Sequence, residues 1–149
     1  MRLVLYQPEI AANVGAAIRI CACFAAGLDI IEPCGFPFKH KDIRRVGMDY
    51  GALSQPLRHD SWAAYGDGDH GYSRLILLTT KGDSDIGKVE FRPDDRIMVG
   101  QESAGVPDDV RRSCHLAVRI PLAPNARSLN MAVSAAIALA EARRQLGYE

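Results

Sequence analysis

The segment 120–146 constrains the fold of this chain more than any other. An apolar, strand-like run ends at Pro121, and a loop leads into a predicted helix that begins at Leu129. Between residues 129 and 142, three residues are not apolar: Asn130, Ser134 and Glu141. A helix that is apolar nearly all round has to be buried on more than one side. The chain's own sheet can cover one side, so we expect a partner on the other.

The polar residues of this segment are concentrated in the turn before the helix. This turn holds Arg127, Ser128 and Asn130. The first backbone N–H groups of a helix have no partner within the helix, so a side chain or a ligand can bind them. We therefore expect the turn to be part of a binding site and the helix behind it to be a subunit interface.

The composition is that of an ordinary globular protein. With 48% hydrophobic and 24% charged residues, the chain can bury a core, and its length predicts one domain over residues 1–149. No apolar run is long enough to span a bilayer, and the N-terminus lacks the apolar core of a signal peptide. We expect a cytoplasmic protein.

Several chemistries are disfavoured by the motifs. The four cysteines form no CxxC pair and the four histidines show no HExxH spacing, so no metal site is predicted. The first strand is followed by QPEIAANVG instead of a glycine-rich dinucleotide or phosphate loop, and no serine lies in a GxSxG turn. The pattern therefore favours neither metal-dependent hydrolysis, dinucleotide binding nor triad chemistry.

Short apolar runs alternate with helical stretches along the chain. The runs rich in Val, Ile and Leu lie at 3–6, 28–31, 75–78, 97–99 and 116–120. The helical stretches lie at 14–26, 42–46, 61–65, after Pro107 and at the C-terminus. This alternation predicts an α/β fold with a mostly parallel sheet and helices on both faces, and such sheets bind ligands at the carboxyl ends of their strands.

The first helix carries one conspicuous charge. We predict Asn13 as its N-cap and Gly27 as the residue after its C-cap. Between residues 14 and 28 the only charged residue is Arg19, and Gly15 leaves space beside it one turn earlier. A guanidinium on an apolar helix is costly unless it is paired or used. Two interpretations of Arg19 stay open: a buried ion pair with a carboxylate, and a functional contact.

The charge distribution is uneven although the formal net charge is zero. Residues 39–45 are basic and residues 83–95 are acidic. A basic patch beside an acidic edge can orient a polyanion, and a solvated surface segment has the same pattern.

Three motifs in fixed order carry a family resemblance: NVGAAIR, VGQESAGVP and IPLAPNARSLNMAVSAA. They resemble the NxGxxxR, GxExxGLP and IPM…SLNxxxA motifs of the SpoU branch of the SPOUT superfamily, which are S-adenosylmethionine-dependent RNA 2′-O-ribose methyltransferases. The segments LYQPEIAANVGAAIRICA, IIEPCGF and RRVGMDY are similar to the TrmL (YibK-type) subfamily, which methylates the wobble ribose of tRNA. The chain departs from the common pattern at Val99, Gln101, Ala104 and Leu122.

The resemblance implies a fold, a cofactor and partners. The fold is an α/β-knot with a C-terminal trefoil knot, assembled as a homodimer through the first and last helices. The cofactor is S-adenosyl-L-methionine, which leaves as S-adenosyl-L-homocysteine, and the partner is tRNA. By motif, the implied cofactor-binding residues are Leu78, Thr79, Gly100, Glu102, Gly105, Ile120, Leu122, Ser128 and Leu129.

The resemblance also implies catalytic and RNA-binding roles. Arg19 would hold a phosphate and stabilise charge on the 2′-oxygen, while Asn13, Ser128 and Asn130 would orient the arginine and the ribose. The RNA-binding residues would be Lys39, Lys41, Arg44 and Arg45, with His59 and Lys81 as further candidates. Two alternatives stay open: the same chemistry on ribosomal RNA or another tRNA position, and a non-catalytic RNA-binding module.

Overall fold

The computed structural model describes residues 1–37, 55–68, 70–71 and 73–147. Within these ranges the strands are β1 (Arg2–Tyr6), β2 (Gly27–Ile31), β3 (Leu57–His59), β4 (Leu75–Leu78), β5 (Ser84–Asp85), β6 (Arg96–Val99) and β7 (Leu116–Arg119). The α-helices in the same ranges are α1 (Ala11–Cys23), α2 (Trp62–Gly66), α3 (Asp108–Arg112) and α4 (Met131–Leu146), and a 3-10 turn covers Ile86–Lys88. None of these helices is long and apolar enough to cross a membrane.

The strands form one sheet in the order β3-β2-β1-β6-β4-β7-β5, and every neighbouring pair is parallel. Side chains alternate between its faces: Leu3 and Leu5 of β1 pack with α1 and α4, whereas Val4 and Tyr6 pack on the side of α2 and α3. The predicted parallel sheet with helices on both faces is confirmed. The predicted helix at 42–46 lies outside the described residues.

Two predicted boundaries of α1 are wrong. The helix begins at Ala11, so the N-cap position is Ile10, and the side chain of Asn13 is buried inside the first turn. The helix ends at Cys23, and Ala25, with φ 49°, takes the left-handed conformation that was assigned to Gly27. Arg143 of α4 explains this end, since its guanidinium donates to the carbonyl oxygens of Phe24 at 2.7 Å and Ala25 at 2.9 Å.

Two short strands were not predicted. Both β3 and β5 lie at edges of the sheet and consist largely of polar residues, so they lack the apolar run that identified the others. Each is held by pairing with one neighbouring strand: β3 pairs with β2, and β5 pairs with β7.

The connection from Thr79 to Asp83 crosses β7 in close contact, because β7 lies between β4 and β5. Thr79 N donates to Val118 O at 2.8 Å, and Asp83 N donates to Ala117 O at 2.9 Å. Gly82 lies directly on the strand, where a Cβ atom would be 2.5 Å from the backbone nitrogen of Arg119. The implied trefoil knot needs such a crossing, and the knot itself stays a prediction.

Helix α4 buries one face and exposes another. Its buried residues are Met131, Ala132, Ala135, Ala138, Leu139 and Ala142. Val133 and Ile137 are exposed although apolar, at 47% and 36%. The expected burial on a second side is therefore not met within one chain, and the subunit interface stays a prediction.

Candidate active site

Three loops at the carboxyl ends of β4, β6 and β7 enclose one cavity of about 710 Å³. The predicted cofactor residues all line it: Leu78, Thr79, Gly100, Glu102, Gly105, Ile120, Leu122, Ser128 and Leu129. Parallel sheets place ligands at this edge because the loops after the strands meet there. The structure therefore brings the three sequence motifs to one site.

The loop after β6 is a tight hairpin that only glycine allows. Gln101 N donates to Gly105 O at 2.8 Å, and Gly105 N donates to Gln101 O at 2.9 Å. A Cβ atom on Gly100 would lie 2.5 Å from the carbonyl carbon of Gly105, and Gly105 has φ 69°. Any side chain at either position would force the hairpin open or strain it.

Glu102 fastens this hairpin to the start of α1. Its carboxylate accepts hydrogen bonds from Glu9 N at 2.8 Å, Ile10 N at 3.3 Å and Asn13 Nδ2 at 2.9 Å. A carboxylate at a helix N-terminus is stabilised by the free N–H groups and by the helix dipole. Glu102 thus holds the two residues that precede α1 and the side chain of Asn13, from a loop about ninety residues away.

Asn13 and Asn130 extend this contact to α4. Asn130 Nδ2 donates to Asn13 Oδ1 at 2.9 Å, while Asn130 Oδ1 accepts from Ala132 N at 2.9 Å and Val133 N at 3.2 Å. Asn130 is therefore the N-cap of α4, and Asn13 joins the starts of the two helices. Their amides fix the wall of the cavity that both residues line.

A second contact between the same loops was not predicted. The carboxylate of Glu9 accepts from Ser103 N at 2.8 Å and from Ser103 Oγ at 2.7 Å. These bonds from Ser103 hold the pKa of Glu9 below its usual value, against a smaller opposing effect of burial. An acidic residue just before a predicted helix start, as in PEIAANVG, is the sequence signal that could have found it.

Three of the four candidate catalytic residues line the cavity, and one does not. Asn13, Ser128 and Asn130 line the cavity, whereas Arg19 is not among its lining residues. Arg19 is exposed on α1, so the alternative of a buried guanidinium is wrong.

The RNA-binding candidates fall into three groups. Lys39, Lys41, Arg44 and Arg45 lie outside the described residues. Lys81 is exposed and lines the cavity. His59 is half-buried, with its Nε2 atom 2.8 Å from Asp29 Oδ1, so its ring is engaged inside the fold.

The cavity has the chemistry of a nucleoside site. Apolar side chains of Leu78, Ile120, Leu122 and Leu129 can flank a planar base, and the segment 120–130 belongs to no strand or helix, which leaves main-chain groups to contact its edges. Among the described residues no cluster of His, Cys, Asp and Glu is placed to hold a metal ion.

Comparison with protein families agrees with the geometry. Residues 1–140 match the family model described as the SpoU rRNA Methylase family. A tRNA (cytidine(34)-2′-O)-methyltransferase of Beijerinckia indica is 47% identical over 146 residues, covering 97% of this chain and 91% of the relative. The protein of the same name from Escherichia coli K12 is 37% identical over 150 residues, covering 99% and 95%.

Solved structures are similar over the same length. One, described as giving insight into 2-OH methylation of C/U34 on tRNA, has a TM-score of 0.90 and 36% identity, covering 97% of this chain and 95% of its own. The SpoU methyltransferase AviRb from Streptomyces viridochromogenes, in complex with the cofactor AdoMet, has a TM-score of 0.87 and 25% identity. That comparison covers 98% of this chain and 60% of AviRb.

Proposed function

The chain belongs to the SpoU rRNA methylase family, and from that premise we propose that it is a tRNA 2′-O-methyltransferase. It transfers a methyl group from S-adenosyl-L-methionine to the ribose 2′-hydroxyl of cytidine or uridine at position 34 of tRNA, the wobble position that its relatives' names specify. Its place of action is the cytoplasm, where tRNA is found.

One observation carries the proposal. The three sequence motifs, far apart in the chain, line a single cavity, and the relatives named for position 34 match this chain from end to end. Relatives that act on ribosomal RNA share the fold, so the target nucleotide is assigned by the relatives' names and tested below.

The cofactor fits the residues present. Gly100 lets the hairpin main chain approach closely, and the leucines and Ile120 offer apolar contacts. Glu102 also lines the cavity, where its carboxylate would favour a cationic ligand. When bound, this cofactor supplies an electrophilic methyl group.

The protein has to align the 2′-oxygen with that methyl group and to favour loss of the hydroxyl proton. Alignment alone can lower the barrier by up to about 7–11 kcal/mol in the ideal case. Ser128 and Asn130, on the third loop, orient the ribose, and Asn13 and Glu102 keep that loop in place.

Arg19 stabilises the developing negative charge on the oxygen and holds a neighbouring phosphate. Because a guanidinium has a pKa above about 12, the proton goes to the phosphate or to water and not to Arg19.

Arg19 requires a second copy of the chain for this role. It is exposed and does not line the cavity of its own chain. Ile10, Leu129, Val133 and Ile137 form an exposed apolar strip beside the cavity mouth. We propose a homodimer that covers this strip with α1 and α4 of both copies and brings Arg19 of one copy to the cavity of the other.

Mapping the methylated nucleotide tests the function. The protein is incubated with labelled S-adenosylmethionine and unmodified tRNA, and the modified residue is located by nuclease digestion and mass spectrometry. We expect one 2′-O-methyl group at position 34. Methylation of ribosomal RNA or of another tRNA position would replace the assignment, and binding of tRNA without methyl transfer would favour a non-catalytic module.

Mixed dimers test the role of Arg19. Arg19→Ala alone should remove most methyl transfer while binding of S-adenosylhomocysteine persists. Leu122→Arg should fill the cavity and prevent cofactor binding. Co-expression of the two variants should restore about a quarter of wild-type activity, because half of the dimers are mixed and each keeps one complete site. Near-normal turnover of Arg19→Ala would refute its role, and no restoration would refute the shared site.

We propose that the basic segment, residues 39–45, binds the tRNA backbone. Removing the charges of Arg44 and Arg45 should weaken tRNA binding and its dependence on salt, while cofactor binding survives. An equal loss of cofactor binding would instead indicate a structural role.

A further inference from the structure

Among the described residues, four basic side chains line the active-site cavity or the smaller cavity next to it, and two of them are paired with carboxylates. Arg111 faces Asp83 at 3.5 Å, and Arg119 forms an ion pair with Asp85 at 2.7 Å. The other two are Lys81 and Arg127, here called the mouth cations. Neither forms an ion pair or a side-chain hydrogen bond with any part of the chain that the structure describes.

The mouth cations face the cavity from different loops. Lys81 lies in the crossing after β4, and Arg127 lies in the segment between β7 and α4, and both line the large cavity. Arg127 also lines an adjacent cavity of about 380 Å³, which shares Thr80, Ile120 and Leu122 with the first. The two cavities therefore share part of their lining, and Arg127 contributes to both.

The backbone beneath each mouth cation is held in place. Lys81 N donates to Thr79 Oγ1 at 3.3 Å, Lys81 O accepts from Arg111 at 2.9 Å, and Gly82 packs against β7. Arg127 follows a turn closed by Ala126 N to Ala123 O at 3.1 Å, with Asn125 at φ 70°. Fixing the backbone while leaving the charge unpaired prepares these groups for an anion.

The charges around the site favour binding of an anion at this position over attraction of nucleic acid by the whole surface. The chain has a formal net charge of zero, so its whole surface does not draw in nucleic acid. Among the described residues, the charged ones that line the large cavity are Lys81, Arg111, Arg127, Glu102 and Asp108. Glu102 is occupied by its three donors, and Arg111 lies against Asp83, so the mouth cations are the groups available to a ligand.

We propose that Lys81 and Arg127 form a subsite for one RNA phosphodiester flanking the methylated nucleotide. This inference rests on the proposed function. A ribose that enters the cavity carries a phosphodiester on each side, so the RNA backbone has to pass the mouth. Arg19 holds one flanking phosphate and the mouth cations hold the other, which fixes the direction of the strand across the site.

Charge removal with a matched control tests the subsite. Lys81→Gln, Arg127→Gln and the double variant are compared with Arg112→Gln, an exposed arginine of α3 that lines neither cavity. Affinity for S-adenosylhomocysteine is measured by calorimetry, tRNA affinity by filter binding at several salt concentrations, and kcat and KM by methyl transfer.

The subsite predicts that each single substitution weakens tRNA binding about fivefold and lowers the salt slope by about 0.7–1. The KM for tRNA should rise while the affinity for S-adenosylhomocysteine changes less than about twofold, and Arg112→Gln should behave as wild type.

Three outcomes would overturn the subsite. An equal loss of S-adenosylhomocysteine affinity would assign the cations to the cofactor's carboxylate. Unchanged tRNA affinity and salt slope in an active enzyme would remove the subsite and leave the proposed function intact. A wild-type protein that transfers no methyl group to tRNA would refute the proposed function and the RNA assignment with it.

Discussion

Strand β6 has a carboxylate at each end, and the two are held in opposite ways. At the amino end, Asp95 is fully buried and accepts from Arg74 at 2.9 and 2.7 Å and from Arg92 N at 2.8 Å. At the carboxyl end, Glu102 is half-buried, accepts from neutral amides, and has no cation within ion-pair distance among the described residues. Asp95 is thus paired with a cation inside the fold, whereas Glu102 is bound by neutral amides beside the cavity.

The surroundings of these two carboxylates differ in the same way. Asp95 is held by the Arg74 ion pair, whereas the loops beside Glu102 are held by amide hydrogen bonds and by main-chain contacts that need glycine at Gly82 and Gly100. Buried charge alone is therefore a poor guide to the site: Asp29, Asp95 and Arg96 are buried, yet none of them lines the cavity.

The largest effect is expected at the crossing of the carboxyl edge. Gly82→Ala places a Cβ atom against the backbone of β7, where neither chain can move without breaking strand hydrogen bonds. We expect a loss of about 4 kcal/mol or more in the free energy of unfolding, measured with denaturant. Gly87→Ala is the control, since its Cβ would meet nothing within 4 Å. Equal stability of the two variants would contradict the close crossing.

Arg74→Ala should separate stability from binding at the amino edge. It leaves Asp95 buried without its cation, so we expect a loss of about 3 kcal/mol in the free energy of unfolding. Because this edge is remote from the cavity, the folded variant should bind S-adenosylhomocysteine as wild type does. The double variant Arg74→Ala/Asp95→Ala should regain part of the stability, and a large loss of cofactor affinity in either would disprove the separation of the two edges.

Glu102→Gln should have the opposite effect and weaken ligand binding more than stability. The glutamine amide keeps one oxygen, so its NH2 group would face either the N–H group of Glu9 or the donors of Ile10 and Asn13, which loosens the hairpin from α1. We expect about a tenfold loss of S-adenosylhomocysteine affinity by calorimetry, with a loss of stability near 1 kcal/mol. Glu90→Gln, exposed near the opposite edge, is the matched control. A change confined to stability would make Glu102 purely structural.

The smallest effect concerns pH and Glu9. Bonds from Ser103 lower the pKa of Glu9. The Glu9–Ser103 contact therefore stabilises the loops beside the cavity above the ordinary glutamate pKa, and this stabilisation is lost as pH falls through the lowered pKa. S-adenosylhomocysteine affinity should therefore decline in mildly acidic solution, below about pH 4.5. Ser103→Ala removes the larger cause of the lowered pKa and keeps the bond from the backbone nitrogen, so the variant should lose less of its affinity over the same fall in pH. An unchanged titration of affinity would show that this contact does not support the cavity.

Most of the sheet was predictable from short-range patterns. Apolar runs located the five longer strands, four of which are buried over most of their length, and the motif residues located the walls of the cavity. The edge strands β3 and β5 were missed because two or three polar residues carry no such pattern.

The first helix shows where local rules fail. Asn13 was predicted as a cap because caps normally lie next to the helix they stabilise. Instead, the Asn13 side chain donates to Glu102, from the loop after β6, and accepts from Asn130. No periodicity or propensity near residue 13 contains this contact.

The amino-acid order of this chain was enough to define its strands, its helices and the residue types at its site, because burial patterns and backbone preferences act over a few neighbouring residues. Tertiary structure alone determined that Gly82 lies on β7, that Glu102 binds the residues just before α1, and that Arg19 lies outside the cavity. These depend on segments far apart in sequence, whose contacts are selected by the packing of the whole sheet.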